Sequence, residues 1–298
     1  MSTDVTQSLA ALEQWAPRIG VLSASGDSAL ERAYRMALRQ RRIPCIQFID
    51  IWANYALRFH SGPESGEQPD FPDIALTIDD AARRGMIADG IPASIIHVIG
   101  QPYFEALRTS SREARTTGDA GPTRVLIATQ PVSRYHGRRL GYDEHDFLHC
   151  CLDAWRRRAA NWDQVDVAIH PEEARDCHLA TLAHYSGRIR VVEGDALQLD
   201  RYAAVLGMYS SLLVHALLAD TPAASVQPGT GANDSCQFSA LGMIPRWTEV
   251  AQLSDWLDNA TDFHTSRKME TPPVVNLLLR NLAGSCDRFE QFLLAHRS

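Results

Sequence analysis

The sequence predicts an α/β protein of two lobes, and three observations support that fold class. Short apolar runs typical of buried strands alternate with stretches of helical spacing along nearly the whole chain. A polar segment over residues 109–123, rich in Ser, Thr and Gly, interrupts this alternation, which then restarts. A chain of 298 residues is long enough to build a core in each lobe. We therefore predict lobes over residues 1–115 and 123–298, with the last helix, from Pro273, a candidate to cross back to the first lobe.

Strands and helices of the first lobe follow one another in chain order, and acidic residues follow two of the strands. Asp50 is either a general base at a strand end or the cap of a helix over residues 53–59, and Asp80 is expected to be a cap. The stretches in order are a strand and loop, "RIGVLSASGDS", a helix, "ALERAYRMALRQRR", a strand, "IPCIQFIDIW", a strand, turn and helix, "PDIALTIDDAARRGMIADG", and a strand and turn, "ASIIHVIGQP".

The second lobe repeats the alternation after the polar segment, and its final 25-residue stretch opens with two prolines and reads as helical to its end. The predicted strands are "RVLIATQP", "VDVAIHP", "RIRVVEG", the end of "RYAAVLGM", and "PAASVQPG". The predicted helices are "DEHDFLHCCLDAWRRRAANW", "SLLVHALLAD", "WTEVAQLSDWLDNA" and "PPVVNLLLRNLAGSCDRFEQFLLAH".

Polar residues stand at two strand ends of the second lobe. Ligands of open α/β sheets bind beyond the carboxyl ends of the strands, so we expect a ligand in a cleft between the lobes. His170-Pro171 ends one strand and is either a cleft-facing pair or part of a plain loop. Ser210-Ser211 begins a helix, where free N–H groups and the helix dipole favour an anion, and a simple helix cap is the alternative.

Composition makes several classes of protein and site unexpected. The formal net charge of -7 disfavours broad attraction to nucleic acid. The six cysteines form no CxxC pair and no dense disulfide framework, which is typical of reduced thiols. The N-terminus lacks the basic start of a signal peptide, and no stretch suits a membrane span, so we predict a cytoplasmic protein. Without HExxH or DxD patterns, no metal site is expected.

The His-Pro and Ser-Ser motifs, with "VVEGD" between them, resemble those of the nucleotide-binding lobe of GT-B glycosyltransferases. The nearest likeness is to CDP-glycerol glycerophosphotransferases and bacterial sialyltransferases, although Met208 stands where the former have Asp. This resemblance implies two Rossmann-like lobes, here with a shortened N-terminal lobe. It also implies that His170 and Pro171 contact the nucleotide, that Ser210 and Ser211 contact its phosphate, that Glu193 lies where a base or ribose binds, and that no metal or cofactor is needed.

A weaker resemblance links the first lobe to UDP-N-acetylglucosamine 2-epimerases. "IGQPYFEAL", residues 99–107, is similar to the turn before the domain linker in that family, with Gln101 in place of Asn and Glu105 near the acidic position. The next strand of that family carries cleft-facing polar residues, which here implies Gln130, Arg134 and His136 in "ATQPVSRYHGRR". The family's tandem acidic residues are replaced by Val214 and His215, so we predict that epimerisation is disfavoured.

Together these observations predict a GT-B-like glycosyltransferase of polysaccharide or glycoconjugate biosynthesis, which uses a nucleotide-sugar or CDP-polyol donor and a small or glycan acceptor. Asp50 would take the acceptor proton, and His170 and the paired serines would hold the nucleotide and its phosphate. The alternatives are a nucleotide-sugar hydrolase or epimerase, and a non-catalytic binding subunit; a homodimer or a partner that completes the short first lobe stays open. Further cleft residues are expected at Ser25, Arg58, Gln227 and Thr230.

Overall fold

The chain forms two compact α/β units in this computed structural model. Unit 1 contains residues Met1–Glu105 and Leu278–Ser298, and unit 2 contains Ala106–Leu277. Each has its own parallel sheet, which confirms the predicted fold class. The residues described are 9–10, 12, 14–23, 29–59, 69–114, 124–157, 164–185, 188–194, 197–229, 231, 233–266 and 272–296.

The division between the units falls inside a helix, not in the polar segment expected to be the linker. Helix α3, introduced below, runs through the division between Glu105 and Ala106 and includes residues 109–114 of that segment. Its remaining residues, 115–123, lie outside those that the structure describes. The Ser110 and Ser111 hydroxyls donate to the Ala106 and Leu107 carbonyls four residues earlier, so serines typical of a linker are accommodated within the helix.

Unit 1 contains a four-stranded parallel sheet in the order β1-β2-β3-β4. Its core includes Ile46, Leu76 and Ile99, which are all at most 5% exposed. The strands are β1 (Gly20–Leu22), β2 (Cys45–Ile49), β3 (Ile74–Thr77) and β4 (Ile96–Val98), and the helices that follow β1, β3 and β4 are α1 (Ala29–Gln40), α2 (Asp80–Ala88) and α3 (Pro102–Ala114).

The acidic residues after β2 and β3 differ from the expected caps. Asp79, not Asp80, is the N-cap of α2, and its side chain accepts a hydrogen bond from the Ala82 amide at 2.8 Å. Asp50 does not cap a helix, because the segment after it forms only a 3₁₀ turn over Ala56–Arg58. The extended backbone of Asp79 suits a cap, whereas Asp80 is already helical.

Unit 2 contains a six-stranded parallel sheet in the order β10-β9-β8-β5-β6-β7. The chain builds β5, β6 and β7 toward one edge and then returns to add β8, β9 and β10 on the other side of β5. The strands are β5 (Arg124–Ala128), β6 (Gln164–Ala168), β7 (Ile189–Val192), β8 (Ala204–Gly207), β9 (Ala223–Val226) and β10 (Arg246–Trp247). The helices are α4 (Val132–His136), α5 (Glu144–Arg156), α6 (Arg175–Leu182), α7 (Leu212–Leu218), α8 (Gln237–Ala240) and α9 (Val250–Ser266).

The core of unit 2 forms where its helices cover these strands. Helix α5 begins with a capping box, in which Asp143 and Asp146 satisfy each other's backbone amides, and it buries Phe147 and Leu152 completely. The β8 and β9 strands are buried along their whole length, as expected for central parallel strands. None of the described helices is both long and apolar enough to cross a membrane.

The end of the chain is two helices, not the single helix that the sequence predicts. Helices α10 (Pro273–Leu282) and α11 (Ser285–Ala295) are separated at Gly284, whose φ of 74° is a left-handed conformation that ends a helix. Helix α11 belongs to unit 1, where Phe289 packs edge-on against Phe48 with ring centroids 6.4 Å apart. Unit 1 is therefore built from both ends of the sequence.

Candidate functional site

The carboxyl ends of the unit 2 strands place polar residues at one edge of its sheet. Because the strand order reverses between β5 and β8, this edge has a topological switch point, the usual ligand position in open α/β sheets. The residues that follow the strands are Thr129 and Gln130 after β5, His170 after β6, Glu193 after β7, Tyr209 to Ser211 after β8, and Gln227 after β9.

Gln130 joins the two strands that flank the switch point. Its Oε1 accepts a hydrogen bond from the Tyr209 backbone amide at 3.0 Å, which fixes the end of β8 beside the end of β5. The His136 ring meets the Tyr209 ring edge-on, with centroids 5.6 Å apart. The Tyr209 hydroxyl is buried without a hydrogen-bond partner, and burial raises the pKa of Tyr209 to about 12. This phenol therefore stays protonated and can only act as a hydrogen-bond partner.

The two serines at the start of α7 have different surroundings. The Ser210 hydroxyl accepts a hydrogen bond from the Leu212 amide at 3.2 Å, and the Ser210 carbonyl accepts one from Leu213 at 3.1 Å. Ser211 is the N-cap residue, but its side chain makes no capping hydrogen bond and is exposed. Ser210 therefore organises the helix start, while the Ser211 hydroxyl can reach a ligand.

His170 is half-buried at the end of β6, and its ring is held by the following backbone. Its Nδ1 accepts a hydrogen bond from the Glu172 amide at 3.2 Å, so in the neutral ring the proton is on Nε2. The imidazole thus offers an Nε2–H donor to a ligand oxygen. Pro171, the next residue, is exposed.

A buried carboxylate that the sequence analysis did not single out ties these strand ends together. The Glu173 side chain is 1% exposed and accepts hydrogen bonds from the Thr129 hydroxyl and from the His170 amide, the latter at 2.9 Å. His178 Nε2 lies 3.1 Å from its other oxygen. The only sequence signal was an acidic residue shortly after His-Pro, a pattern also common on exposed loops.

The contacts of the other predicted site residues of unit 2 give less indication of a ligand. The Glu193 side chain is 83% exposed and pairs with Arg175 at 3.3 Å. Arg134 is exposed on α4 and lies over the Tyr135 ring. Gln227 is fully buried, and its amide bonds Ser225, Asp234 and the Ser235 backbone, so it holds the following loop in place; Thr230 of that loop lies outside the described residues.

The predicted residues of unit 1 that the structure describes lie at the carboxyl edge of its own sheet. Arg58 pairs with Asp50 at 3.4 Å; the Arg58 side chain is 5% exposed and that of Asp50 is 55% exposed. Burial lowers the pKa of Arg58, which remains a cation beside the Asp50 carboxylate. Gln101 is buried, and its Oε1 accepts a hydrogen bond from the Tyr103 amide at 3.3 Å. Ser25 lies outside the described residues.

The described residues contain no group of three metal-ligating side chains placed to hold an ion. The cysteines of the described part are free thiols, and burial raises the pKa of Cys150 to about 11. The chemistry available at the unit 2 edge is therefore hydrogen bonding by Ser211, Tyr209 and Gln130, with His170 as the side chain among them that can also exchange a proton.

Known structures share this fold over nearly the whole chain. A UDP-GlcNAc 2-epimerase from Neisseria meningitidis, bound to UDP-GlcNAc, matches 98% of this chain and 80% of its own, with a TM-score of 0.66 and 12% identity. The UDP-GlcNAc 2-epimerase from Methanocaldococcus jannaschii, in complex with UDP-GlcNAc and UDP, matches 98% of this chain and 79% of its own, with a TM-score of 0.67 and 12% identity. The Anabaena protein HepE, in complex with UDP-glucose, matches 96% and 78%, with a TM-score of 0.54 and 13% identity.

At these identities the likeness establishes the fold, which is GT-B-like with two Rossmann-like units. No protein-family model and no curated protein sequence matches the chain. The predicted GT-B-like fold is supported, and so is a likeness in fold to UDP-GlcNAc 2-epimerases, whereas a nearest likeness to CDP-glycerol glycerophosphotransferases is not.

Proposed function

We propose that this protein binds a nucleotide-activated sugar and changes the sugar without transferring it to a second molecule, by hydrolysis or epimerisation. The observation that carries the proposal is the set of polar strand ends at the β5/β8 switch point, in a fold that matches UDP-GlcNAc 2-epimerases over 98% of this chain. Because those structures hold UDP-GlcNAc, a uridine nucleotide sugar is the substrate class to test first. The proposal includes no metal ion and no cofactor apart from the substrate itself.

In this proposal, neutral donors at the sheet edge bind the nucleotide and its phosphates. His170 Nε2–H and the exposed Ser211 hydroxyl donate to ligand oxygens, and the exposed guanidinium of Arg134 on α4 supplies positive charge. Gln130 holds Tyr209 with its oxygen and keeps its amide nitrogen as a further donor. Such groups can stabilise a leaving diphosphate without a metal ion.

Glycosyl transfer is the second candidate, and α7 favours it. The epimerase resemblance requires acidic residues where this chain has Val214 and His215. Val214 is buried and apolar, and His215 is a histidine whose pKa is lowered by burial. Neither residue has a carboxyl group that could replace the missing acids. In a transferase, Asp50 would take the proton of a small or glycan acceptor.

Nucleotide binding tests the site. We expect UDP to raise the melting temperature more than CDP, CMP, GDP or dTDP, since a ligand that binds only the folded state stabilises it by mass action. His170→Ala should reduce the UDP shift, and His184→Ala, which changes an exposed histidine of the same unit, should not. If no nucleotide shifts the melting temperature, or if both variants respond as the wild type does, the proposed site is wrong.

Turnover separates the candidate functions. The wild type should be incubated with UDP-GlcNAc alone and followed by ¹H NMR. A new epimer or a free sugar supports the proposal, whereas UDP release only after addition of a sugar acceptor supports transfer. Binding without any turnover would indicate a non-catalytic nucleotide-sugar-binding subunit.

A further inference from the structure

We propose that Glu173 is a positioning residue, whose buried carboxylate sets the spacing between the ends of β5 and β6 and thereby aims the His170 ring. The effect on a ligand rests on the proposed function, but the effect on the strand ends does not. Glu173 lies three residues after His170, in the loop that joins β6 to α6.

Three donors from three different elements converge on this carboxylate. One oxygen accepts from the Thr129 hydroxyl at the end of β5 and from the His170 amide at the end of β6. The other oxygen receives His178 Nε2 from α6 at 3.1 Å. The Thr129 hydroxyl also lies 3.2 Å from the His170 amide, so the two strand ends meet at one atom cluster.

The burial of Glu173 and His178 indicates that the groups around Glu173 depend on its negative charge or on its acceptor oxygens. The side chains of Glu173 and His178 are both 1% exposed, and a buried carboxylate is unfavourable unless hydrogen bonds or a cation compensate for it. The buried His178 Nδ1 has no hydrogen-bond partner, so Glu173 accepts the hydrogen bond that holds this ring, which also lies 5.1 Å from the His145 ring between centroids. Replacing Glu173 would therefore remove an acceptor from each of the three donors, and the His170 amide and the Thr129 hydroxyl would keep only their longer bonds, to the Thr129 oxygen at 3.2 Å and to the Ala168 carbonyl at 3.3 Å.

Stability alone is a weak reason for such a cluster, because buried polar clusters are often no more stabilising than apolar packing of the same volume. Its position supplies a better reason. The carboxylate bonds the residues that end β5 and β6. It therefore connects two strand ends directly beside the switch point between β5 and β8.

The test compares Glu173→Gln with Asp176→Asn, which removes an exposed acid three residues further on. The glutamine keeps the shape of the side chain but retains a single acceptor oxygen. We expect Glu173→Gln to lose hydrogen-exchange protection at the His170 amide and to bind UDP about tenfold more weakly. Asp176→Asn should match the wild type in both measurements.

Two readouts keep this inference separate from the proposed function. If the wild type binds no nucleotide, the proposed function fails, but protection of the His170 amide still tests the role of Glu173. Unchanged protection in folded Glu173→Gln, or unchanged UDP affinity where the wild type binds UDP, would overturn the inference.

A second variant decides the question if Glu173→Gln does not fold. Thr129→Val removes the hydroxyl that donates to Glu173 and accepts from the His170 amide, and it keeps the branched shape of the side chain. It should weaken His170 protection and UDP binding in the same direction, and wild-type values for both would count against the inference.

Discussion

The adjacent serines at the start of α7 illustrate how two identical side chains can differ in role. Ser210 accepts the Leu212 amide, whereas the Ser211 hydroxyl makes no capping bond. Ser210→Ala should therefore cost roughly 1 kcal/mol of stability, while Ser211→Ala should leave the melting temperature unchanged and weaken UDP binding about tenfold. Calorimetry and titration of both variants check this. Equal losses of melting temperature would show that the two hydroxyls share one structural role.

Asp166 is a buried acid in the middle of β6 whose charge is compensated within the sheet. Burial alone would raise its pKa, but hydrogen bonds from Arg190, Tyr202 and Gln164 outweigh burial and lower the pKa of Asp166. A lowered pKa in the folded state contributes stability above the ordinary pKa of the carboxyl, and this contribution is lost as the pH falls.

Asp166→Asn should consequently lower stability at neutral pH by about 1–3 kcal/mol, and its difference from the wild type should shrink on acidification. Melting temperatures between pH 7 and pH 3 measure this, with Tyr202→Phe as a variant that removes the bond from one of the three donor residues. A difference that grows toward acid would contradict the assignment.

At the residue scale, the sequence indicated which polar residues follow a strand, but it did not indicate which buried side chains bond to them. His170 and Gln130 could be found because each follows an apolar strand, and position in a parallel sheet implies a common edge. Glu173 could not be found in this way, because its hydroxyl donor Thr129 lies 44 residues earlier in the chain. Burial of a carboxylate depends on tertiary contacts that local patterns do not encode.

Helix α11 is held at its N-terminus by a carboxylate from a distant helix. Glu105 of α3 accepts hydrogen bonds from the Gly284 amide at 2.6 Å, the Cys286 amide at 2.8 Å and the Ser285 hydroxyl at 3.0 Å. Burial alone would raise the pKa of Glu105, but these bonds lower it from an ordinary 4.5 to about 2. The contribution to stability is thus present above pH 4.5 and lost as the pH falls toward 2.

We expect Glu105→Gln to lower stability at pH 7 by about 1 kcal/mol, as loss of a helix cap does, and to differ less from the wild type below pH 4.5. Glu290→Gln changes an exposed acid of helix α11 and should have no effect. Melting curves at several pH values test the pair, and equal behaviour of the two variants would argue against a capping role for Glu105.

At the element scale, periodicity located most strands and helices but not every boundary. Strands β5 and β6, which begin at Arg124 and Gln164, coincide with predicted apolar runs, because central parallel strands are buried on both faces. The long C-terminal helix was predicted as one because its apolar spacing continues through Gly284. The break at Gly284 accompanies the packing of α11 within unit 1, and that packing depends on tertiary contacts that the local pattern does not show.

For the whole molecule, Gly100 is the point at which the C-terminal segment packs against unit 1. Its φ is 86°, and an added Cβ would lie 2.6 Å from the Asn281 carbonyl oxygen, 2.6 Å from the Ser285 Cβ and 2.8 Å from the Arg288 guanidinium. Arg288 also donates to the Ile99 carbonyl at 3.0 Å. The close approach of two backbones explains why glycine is needed here.

Gly90 offers a matched control, because its φ is 89° and an added Cβ would meet nothing within 4 Å. Gly90→Ala should cost only backbone strain, about 1 kcal/mol, whereas Gly100→Ala should cost several kilocalories more or prevent docking of α11. Limited proteolysis near residue 283 and melting temperatures distinguish the two. Similar losses in both variants would mean that the contact is unimportant.

The return of the chain to unit 1 has a consequence for the order of events during synthesis. Residues 1–105 leave the ribosome before unit 2, but the helix that completes their unit is made after all of unit 2. Unit 1 therefore keeps an uncovered surface until that helix has been made, while unit 2 can fold as soon as it emerges. A nonsense mutation near codon 278 would thus damage the part of the protein that was made first.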